Sequence, residues 1–278
     1  MNKKLSILTV CTFGVFGSMS AQHQPQLGKS PINEIISAMT IDEKVALLVG
    51  FGDEDTPDSI PSATIGFTKK IVPGAAGITH AIPRLGIPSI VLADGPAGLR
   101  IDPKRPGTDN TFYCTHFPVA TSLASTWNAP LVKSVGNAIG NETLEYGVDI
   151  LLAPATNIMR NPLCGRNFEY YSEDPILAGK LTSAMIQGIQ QNGVGTSLKH
   201  FALNNQETNR TGNNVLVSPY VMRELYLKPF EIAIRESTPW TVMSSYNKVN
   251  GEYASENSLL LDSILRRQWG YKGLVMTD

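Results

Sequence analysis

Seven residues of this chain have types that could do chemistry together: Asp94, Arg100, Arg166, Lys199, His200, Tyr246 and Asp278. Carboxylates, cations, an imidazole and a phenol can hydrogen-bond, move protons or act as nucleophiles. Their placement carries the signal. An apolar run at 89–93 leads into Asp94-Gly95-Pro96-Ala97-Gly98-Leu99-Arg100. A run at 194–198 leads into Lys199-His200-Phe201, one at 241–245 into Tyr246-Asn247, and one at 273–277 into Asp278. In parallel α/β folds, chemistry gathers at the carboxyl ends of strands. Taken singly, each residue has an ordinary reading. Asp94 reads as a turn residue, Arg100 as a surface charge and Lys199-His200 as solvated loop. Tyr246 reads as a core tyrosine and Asp278 as a helix cap. Independent structural causes would not place all of them at one end of one sheet.

The elements that must position these groups follow from patterning. The runs at 89–93, 149–153, 194–198, 241–245 and 273–277 are near-continuously apolar, as strands of a parallel sheet covered on both faces are. Helix signals fall between them. Thr40-Ile41-Asp42-Glu43 is a capping box, and 128–146 is long and amphipathic with Gly147 as its stop. Asp174-Pro175 starts a helix that carries Leu177, Leu181, Met185 and Ile189 on one face and ends at Asn192-Gly193. Ser218-Pro219 starts another, with Val221, Leu225, Phe230, Ala233 and Ile234 as its stripe, and Pro229 should kink or split it. Leu261, Ile264, Leu265 and Trp269 mark the last, stopped by Gly270. This alternation fits an open doubly wound sheet or a (β/α)8 barrel, and the pattern alone does not separate them. No G-x-G-x-x-G or Walker A sequence follows a strand, which weakens a nucleotide-binding reading.

The formal net charge of the 278-residue chain is −1, which gives no footing for a nucleic-acid partner or a basic membrane-binding surface. The first residues differ from the rest. Asn2-Lys3-Lys4 is a positive stretch and 5–15 is apolar but too short to span a bilayer. Gly17, Ser18, Ser20 and Ala21 then supply small residues, the layout of a cleaved secretory signal over 1–21. Val10 before Cys11 fits a lipidation signal poorly. The expectation is an exported protein, secreted or periplasmic, with no membrane anchor after cleavage and a domain over 22–278. Cys114 and Cys164 do not make a disulfide framework, and no Cys/His spacing suggests a metal site.

Five segments, in order, resemble family 3 glycoside hydrolases. They are Asp94-Gly95-Pro96 with Arg100; Gly165-Arg166-Asn167-Phe168-Glu169 through Ser172-Glu173-Asp174-Pro175; Lys199-His200-Phe201; Met243-Ser244-Ser245-Tyr246-Asn247; and the run from Gly273 to Asp278. The resemblance covers nearly all of 22–278. It implies an α/β fold of the (β/α)8 TIM type, incomplete at the C-terminus. It implies Asp278 as nucleophile, and Asp94, Arg100, Arg166, Lys199 and His200 as the residues that hold the terminal sugar's hydroxyls. Met243 and Tyr246 are implied in the same pocket, and the Lys199–His200 peptide bond is implied to be cis. A retaining glycosidase needs a carboxylate nucleophile and a separate acid/base, roughly 5–5.5 Å apart. Lys199, Arg100 and Arg166 are expected to hold the nucleophile's pKa down and to donate to hydroxyls.

The family branch that acts on N-acetylglucosaminides carries a second His shortly after the Lys-His pair. Here Phe201-Ala202-Leu203-Asn204-Asn205-Gln206-Glu207-Thr208-Asn209 follows and no later His occurs, so the β-glucosidase branch is favoured. In that branch the acid/base comes from a second, sandwich-like domain. The expected activity is exo-acting release of terminal β-linked glucose, active only with that domain. The expected partner is an oligosaccharide or β-glucoside, and no cofactor or metal is expected. The alternatives are a non-catalytic sugar-binding remnant or a hydrolase of another β-glycoside such as a β-xyloside. A Schiff-base enzyme built on Lys199 leaves Asp94, Arg166 and His200 without roles. The amide-rich stretch from Asn204 to Asn214, with Arg210, reads as a solvated loop.

Overall fold

A computed structural model describes residues 24–49 and 71–278. The secretory signal expected over 1–21, with Cys11, lies outside the described residues. The described chain opens with α1 (Ile32–Ala38) and α2 (Ile41–Val49). The capping box forms as read. Glu43 N donates to Thr40 Oγ1 at 3.1 Å and Thr40 N to Glu43 Oε2 at 2.8 Å.

The main sheet has six strands: β1 (Gly77–Ile78), β2 (Val91–Asp94), β3 (Ile150–Leu152), β4 (Gly195–Phe201), and two named below. Between β2 and β3 run α3 (Ala120–Ala124) and α4 (Ala129–Glu145), and α5 (Pro175–Gln190) joins β3 to β4. After β4 come β5 (Asn214–Val215), α6 (Pro219–Val221), a π-helical turn at Met222–Tyr226, α7 (Lys228–Ser237) and then β6 (Thr241–Ser244). Next are β7 (Lys248–Val249), β8 (Glu252–Tyr253), a π-helix at Leu259–Gln268 and finally β9 (Leu274–Met276). The sheet order is β1-β2-β3-β4-β6-β9. It is parallel from β2 to β9, with β1 antiparallel at the edge. A small sheet of β5, β7 and β8 lies apart.

Each of the five expected strands is present, within a few residues of its reading. The sheet is an open part of a (β/α)8 TIM-type barrel rather than a doubly wound sheet. Side chains alternate between its faces with the two-residue strand period. Val91, Ala93, Leu151 and Ala153 pack with α4 and α5 residues such as Val132, Ile139, Leu181 and Met185. Leu198, Val242 and Val275 pack with Phe230 and Ala233 of α7 and with Ile264 and Leu265 of the π-helix. The opposite face gathers Leu92, Ile150, Leu152, Met243 and Met276. That face, carried past the strand ends, holds the polar groups.

Helix starts follow side-chain chemistry. Asn128 Oδ1 accepts from Leu131 N at 3.0 Å, and Asp174 Oδ1 from Ile176 N at 2.7 Å and Leu177 N at 3.0 Å. The Ser218–Ser237 stretch splits as Pro229 demands, since proline fits only the first turn of a helix. Helices α4 and α5 approach closely because Gly188 faces the α4 backbone, where a Cβ would lie 2.2 Å from Lys133 O. Among the described residues no helix is long and apolar enough to cross a membrane, and Cys114 and Cys164 are free thiols.

Candidate active site

The strand-end residues form a hydrogen-bonded cluster centred on Arg166. Its Nε donates to Glu169 in a short ion pair, its NH1 donates to Tyr246 Oη at 3.0 Å, and its NH2 lies 2.6 Å from His200 Nε2. Lys199 Nζ stands 3.7 Å from the other Glu169 oxygen, Oε2. Asp278 Oδ2 stands 3.8 Å from His200 Nε2. These groups are sequestered from water: the side chains of Glu169, Lys199 and His200 are 2%, 6% and 1% exposed.

Local structure explains the convergence. Arg166 precedes and Glu169 ends a single 3-10 turn, Asn167–Glu169, and the i, i+3 spacing places both side chains on one side. Lys199 and His200 lie within β4, and the bond between them is cis. Asn157 clasps the backbone there: His200 N donates to Asn157 Oδ1 and Asn157 Nδ2 to His200 O, each at 2.9 Å. Asp278 lies two residues beyond Met276, so the strand period carries it along the face that holds Met243 and Met276.

Asp94 and Arg100 form their own ion pair at the end of β2, closed also by Arg100 N donating to Asp94 O at 2.9 Å. Gly98 makes this turn possible. Its φ is +117°, and a Cβ there would lie 2.2 Å from Thr115 O. The pair makes no hydrogen bond to the Arg166 cluster among the described residues, and the Arg100 side chain is 61% exposed. Met243 packs against Ile150, Leu152 and Met276 on the inner face of the sheet.

Burial and neighbouring charge set the protonation states. Burial, then Arg166, Lys199 and Arg210, push the His200 imidazole well below its ordinary value, so the ring is neutral. A guanidinium only donates, so Nε2 is the acceptor and Nδ1 carries the proton. Burial alone would lower the Arg166 guanidinium, but the Glu169 charge outweighs it and holds Arg166 above its ordinary range. Burial raises the Asp278 carboxyl. Arg166, Lys199 and Arg210 pull it down without cancelling that rise. The expectation of a depressed carboxyl is therefore corrected, because desolvation wins.

The loop after β4 departs from its reading as solvated at its start, while residues 208–212 are exposed as read. Asn204 and Asn205 are buried. Tyr170 Oη donates to Asn204 O at 3.0 Å, and Asn205 Nδ2 donates to Ile158 O at 2.5 Å. Glu207 accepts from Tyr246 Oη at 3.1 and 3.2 Å, and Arg210 lies over the Tyr246 ring at 4.8 Å. Glu207 and Asn157 are thus site residues that the sequence did not single out, and Asn204 and Arg210 are site residues read there only as loop. One signal was available: opposite charges at an i, i+3 spacing just past a strand end. Asn157 has no such mark.

A TIM-type α/β barrel with a buried cationic and carboxylate cluster at its strand ends defines the class. The chain belongs to glycosyl hydrolase family 3, and the profile described as the glycosyl hydrolase family 3 N terminal domain matches residues 80–278. It is 43% identical over 250 residues to thermostable beta-glucosidase B of Acetivibrio thermocellus, an alignment covering 89% of this chain and 30% of that protein. It is 42% identical over 230 residues to an exo-alpha-(1->6)-L-arabinopyranosidase of Bifidobacterium longum, covering 81% of this chain and 30% of that protein. The solved structure of beta-glucosidase 3B from Thermotoga neapolitana in complex with glucose superposes with a TM-score of 0.82 at 55% identity, covering 89% of this chain and 33% of that one. The chain therefore spans about a third of the length of these relatives.

Proposed function

We propose that this chain is the barrel portion of an exo-acting, retaining glycoside hydrolase that releases terminal β-linked glucose. The observation that carries the reading is the position of Asp278. Its carboxylate lies 3.8 Å from a buried neutral His200, which Arg166 ties into a cluster with Glu169, Lys199 and Tyr246. In the proposed reaction Asp278 Oδ attacks the anomeric carbon. The C1–Oδ bond forms as the C1–O bond to the leaving group breaks, and the leaving oxygen takes a proton from an acid. Water, deprotonated by the same group, then attacks C1 and releases Asp278, so the configuration is retained. Arg166, Lys199 and neutral His200 bind hydroxyls, with Asp94 as an acceptor, and Arg100 holds Asp94. Hydrogen bonds that tighten as the ring flattens lower the barrier. Met243 forms part of the apolar floor below.

The acid/base is not assigned to a described residue. Glu169 pairs with Arg166 and Lys199, and Glu207 accepts from Tyr246. We propose that it comes from polypeptide beyond residue 278, as the greater length of the relatives allows. The expected outcome is no useful hydrolysis of aryl β-glucosides by residues 22–278 alone, and clear turnover would refute this. Export by cleavage near Ala21 is part of the same reading, and N-terminal sequencing of the mature protein checks it.

The test of the nucleophile is covalent trapping by 2,4-dinitrophenyl 2-deoxy-2-fluoro-β-D-glucoside, whose leaving group departs without acid assistance. Peptide mass spectrometry should find the sugar on Asp278, and a label on another residue would overturn the assignment. A second reading, a different pyranoside as the released sugar, is favoured by one observation: the Bifidobacterium relative is named for an α-(1→6)-L-arabinopyranoside. Relative kcat/KM on nitrophenyl β-glucoside and α-L-arabinopyranoside separates the two.

A further inference from the structure

Glu207 has no part in the chemistry described so far, yet it accepts the hydrogen bond of a central phenol. Its carboxylate sits in the loop after β4 with a side chain 21% exposed. Tyr246 donates to it, with Oη 3.1 and 3.2 Å from its two oxygens. Asn204 Nδ2 approaches Oε1 at 3.3 Å and Arg210 NH1 approaches Oε2 at 3.4 Å, so the carboxylate is itself held in place. On its other side Tyr246 Oη accepts from Arg166 NH1 at 3.0 Å. A phenol has one proton. With that proton committed to Glu207, Tyr246 turns only lone pairs toward Arg166. No hydrogen bond joins Tyr246 to Asp278 among the described residues.

We propose that Glu207 is a positioning residue. It fixes the direction of the Tyr246 hydroxyl, and through that hydroxyl the Arg166 guanidinium that bears on His200 and the nucleophile. The proposal rests on the reading of Asp278 as nucleophile and deepens it. The alternative orientation shows what Glu207 prevents. A Tyr246 proton turned inward would meet the NH1 proton of Arg166 and take away that nitrogen's phenol acceptor, leaving the guanidinium held by Glu169 and His200 alone. The charged and titratable groups around Tyr246 are Arg166, Arg210 and Glu207, with His200 at 6.5 Å between ring centroids. Those around Asp278 are His200, Arg166, Lys199, Arg210 and Glu169.

Glu207→Gln keeps the shape of the side chain but replaces an acceptor with a group that also donates. Its amide can then compete with Arg166 for Tyr246 Oη. The test compares the wild-type full-length protein with Glu207→Gln, Tyr246→Phe and the double variant. Each is trapped with the same fluoroglucoside across a range of pH. Glu207→Gln should lower the limiting trapping rate by about tenfold or more, the scale on which small misplacements of reacting groups act. The half-saturating probe concentration should change little, and the acid limb of the rate profile should move. In the Tyr246→Phe background the same change should have almost no further effect, because the link is already cut.

Trapping by Glu207→Gln at the wild-type rate overturns the proposal. So does a loss that persists in full without the phenol. Failure of the wild-type protein to label at Asp278 instead overturns the nucleophile reading. Should Glu207→Gln not fold, Tyr246→Phe alone carries the test. The proposal requires it to slow trapping by a comparable factor, and normal trapping by that variant refutes it.

Discussion

Replacing Glu169 by glutamine keeps the volume of a buried side chain and removes its charge. In the folded protein that charge faces two cations, Arg166 in a short ion pair and Lys199 at 3.7 Å. The carboxylate is 2% exposed, with Lys199 at 6% and Arg166 at 20%, so solvent screens the interaction little. Breaking a buried pair by removing one partner costs about 3–5 kcal/mol, because the other charge stays buried without compensation. At roughly 2–4 °C per kcal/mol for a chain of this order of size, Glu169→Gln should lower the melting temperature by roughly 6–20 °C.

The pH dependence supplies a second reading of the same change. Burial raises the Asp278 carboxyl, and the Glu169 charge adds to the rise. A carboxyl raised in the folded state ionises at a cost. Folding therefore loses stability as pH climbs from the ordinary carboxyl range through the raised value. Without the Glu169 charge this loss shrinks, and the variant's deficit against wild type should narrow as Asp278 ionises. Thermal and urea denaturation from acid to neutral pH measures both effects. A deficit below about 0.5 kcal/mol at neutral pH, within the range of an ordinary surface change, would refute the assignment of Glu169 as counter-ion to Arg166 and Lys199.

Two further outcomes are expected. Phe230 is fully buried, with its ring edge-on to Phe201 at a centroid distance of 5.3 Å. Phe230→Ala should cost about 3–5 kcal/mol in chemical denaturation, and a loss under about 1 kcal/mol would mean that the helix layer repacks. Hydrogen bonds from Arg84, and then from the Thr40 backbone, lower Glu43 from 4.5 to about 2. Its contribution is therefore complete above its ordinary value and disappears as pH falls toward about 2. Glu43→Gln should be less stable than wild type at neutral pH and converge with it in acid, as followed by melting temperature against pH.

The strands were legible because a parallel strand buried on both faces has an unbroken apolar run, as in 194–198, and because a charged or polar group closes four of the five runs. The helix starts were legible through Asn128, Asp174 and Ser218, whose short side chains satisfy free backbone donors. Curvature was not. The same alternation of elements suits an open sheet and a barrel, and the motif resemblance separated them. The two-residue strands β1, β5, β7 and β8 are too short to show a period. The π-helical widening at Leu259–Gln268 has no mark in the apolar pattern, which reads as an ordinary helix.

Asn204 and Asn205 at the start of the loop misled because amide side chains look the same whether they bond to water or to buried carbonyls. Asn205 reaches Ile158 O, and Asn204 reaches Glu207 and Tyr246. Such cross-chain partners leave no mark on the sequence. The net rise at Asp278 was equally hidden, since composition reveals the neighbouring cations but not how deeply the carboxyl is buried.

The most direct test of the account is a crystal structure of the full-length protein trapped with the fluoroglucoside. The expected result is a covalent bond from Asp278 to the anomeric carbon. The ring hydroxyls should lie within hydrogen-bond reach of Asp94, Arg166, Lys199 and His200. Sugar density attached elsewhere, or a ring lying away from these strand ends, would contradict it.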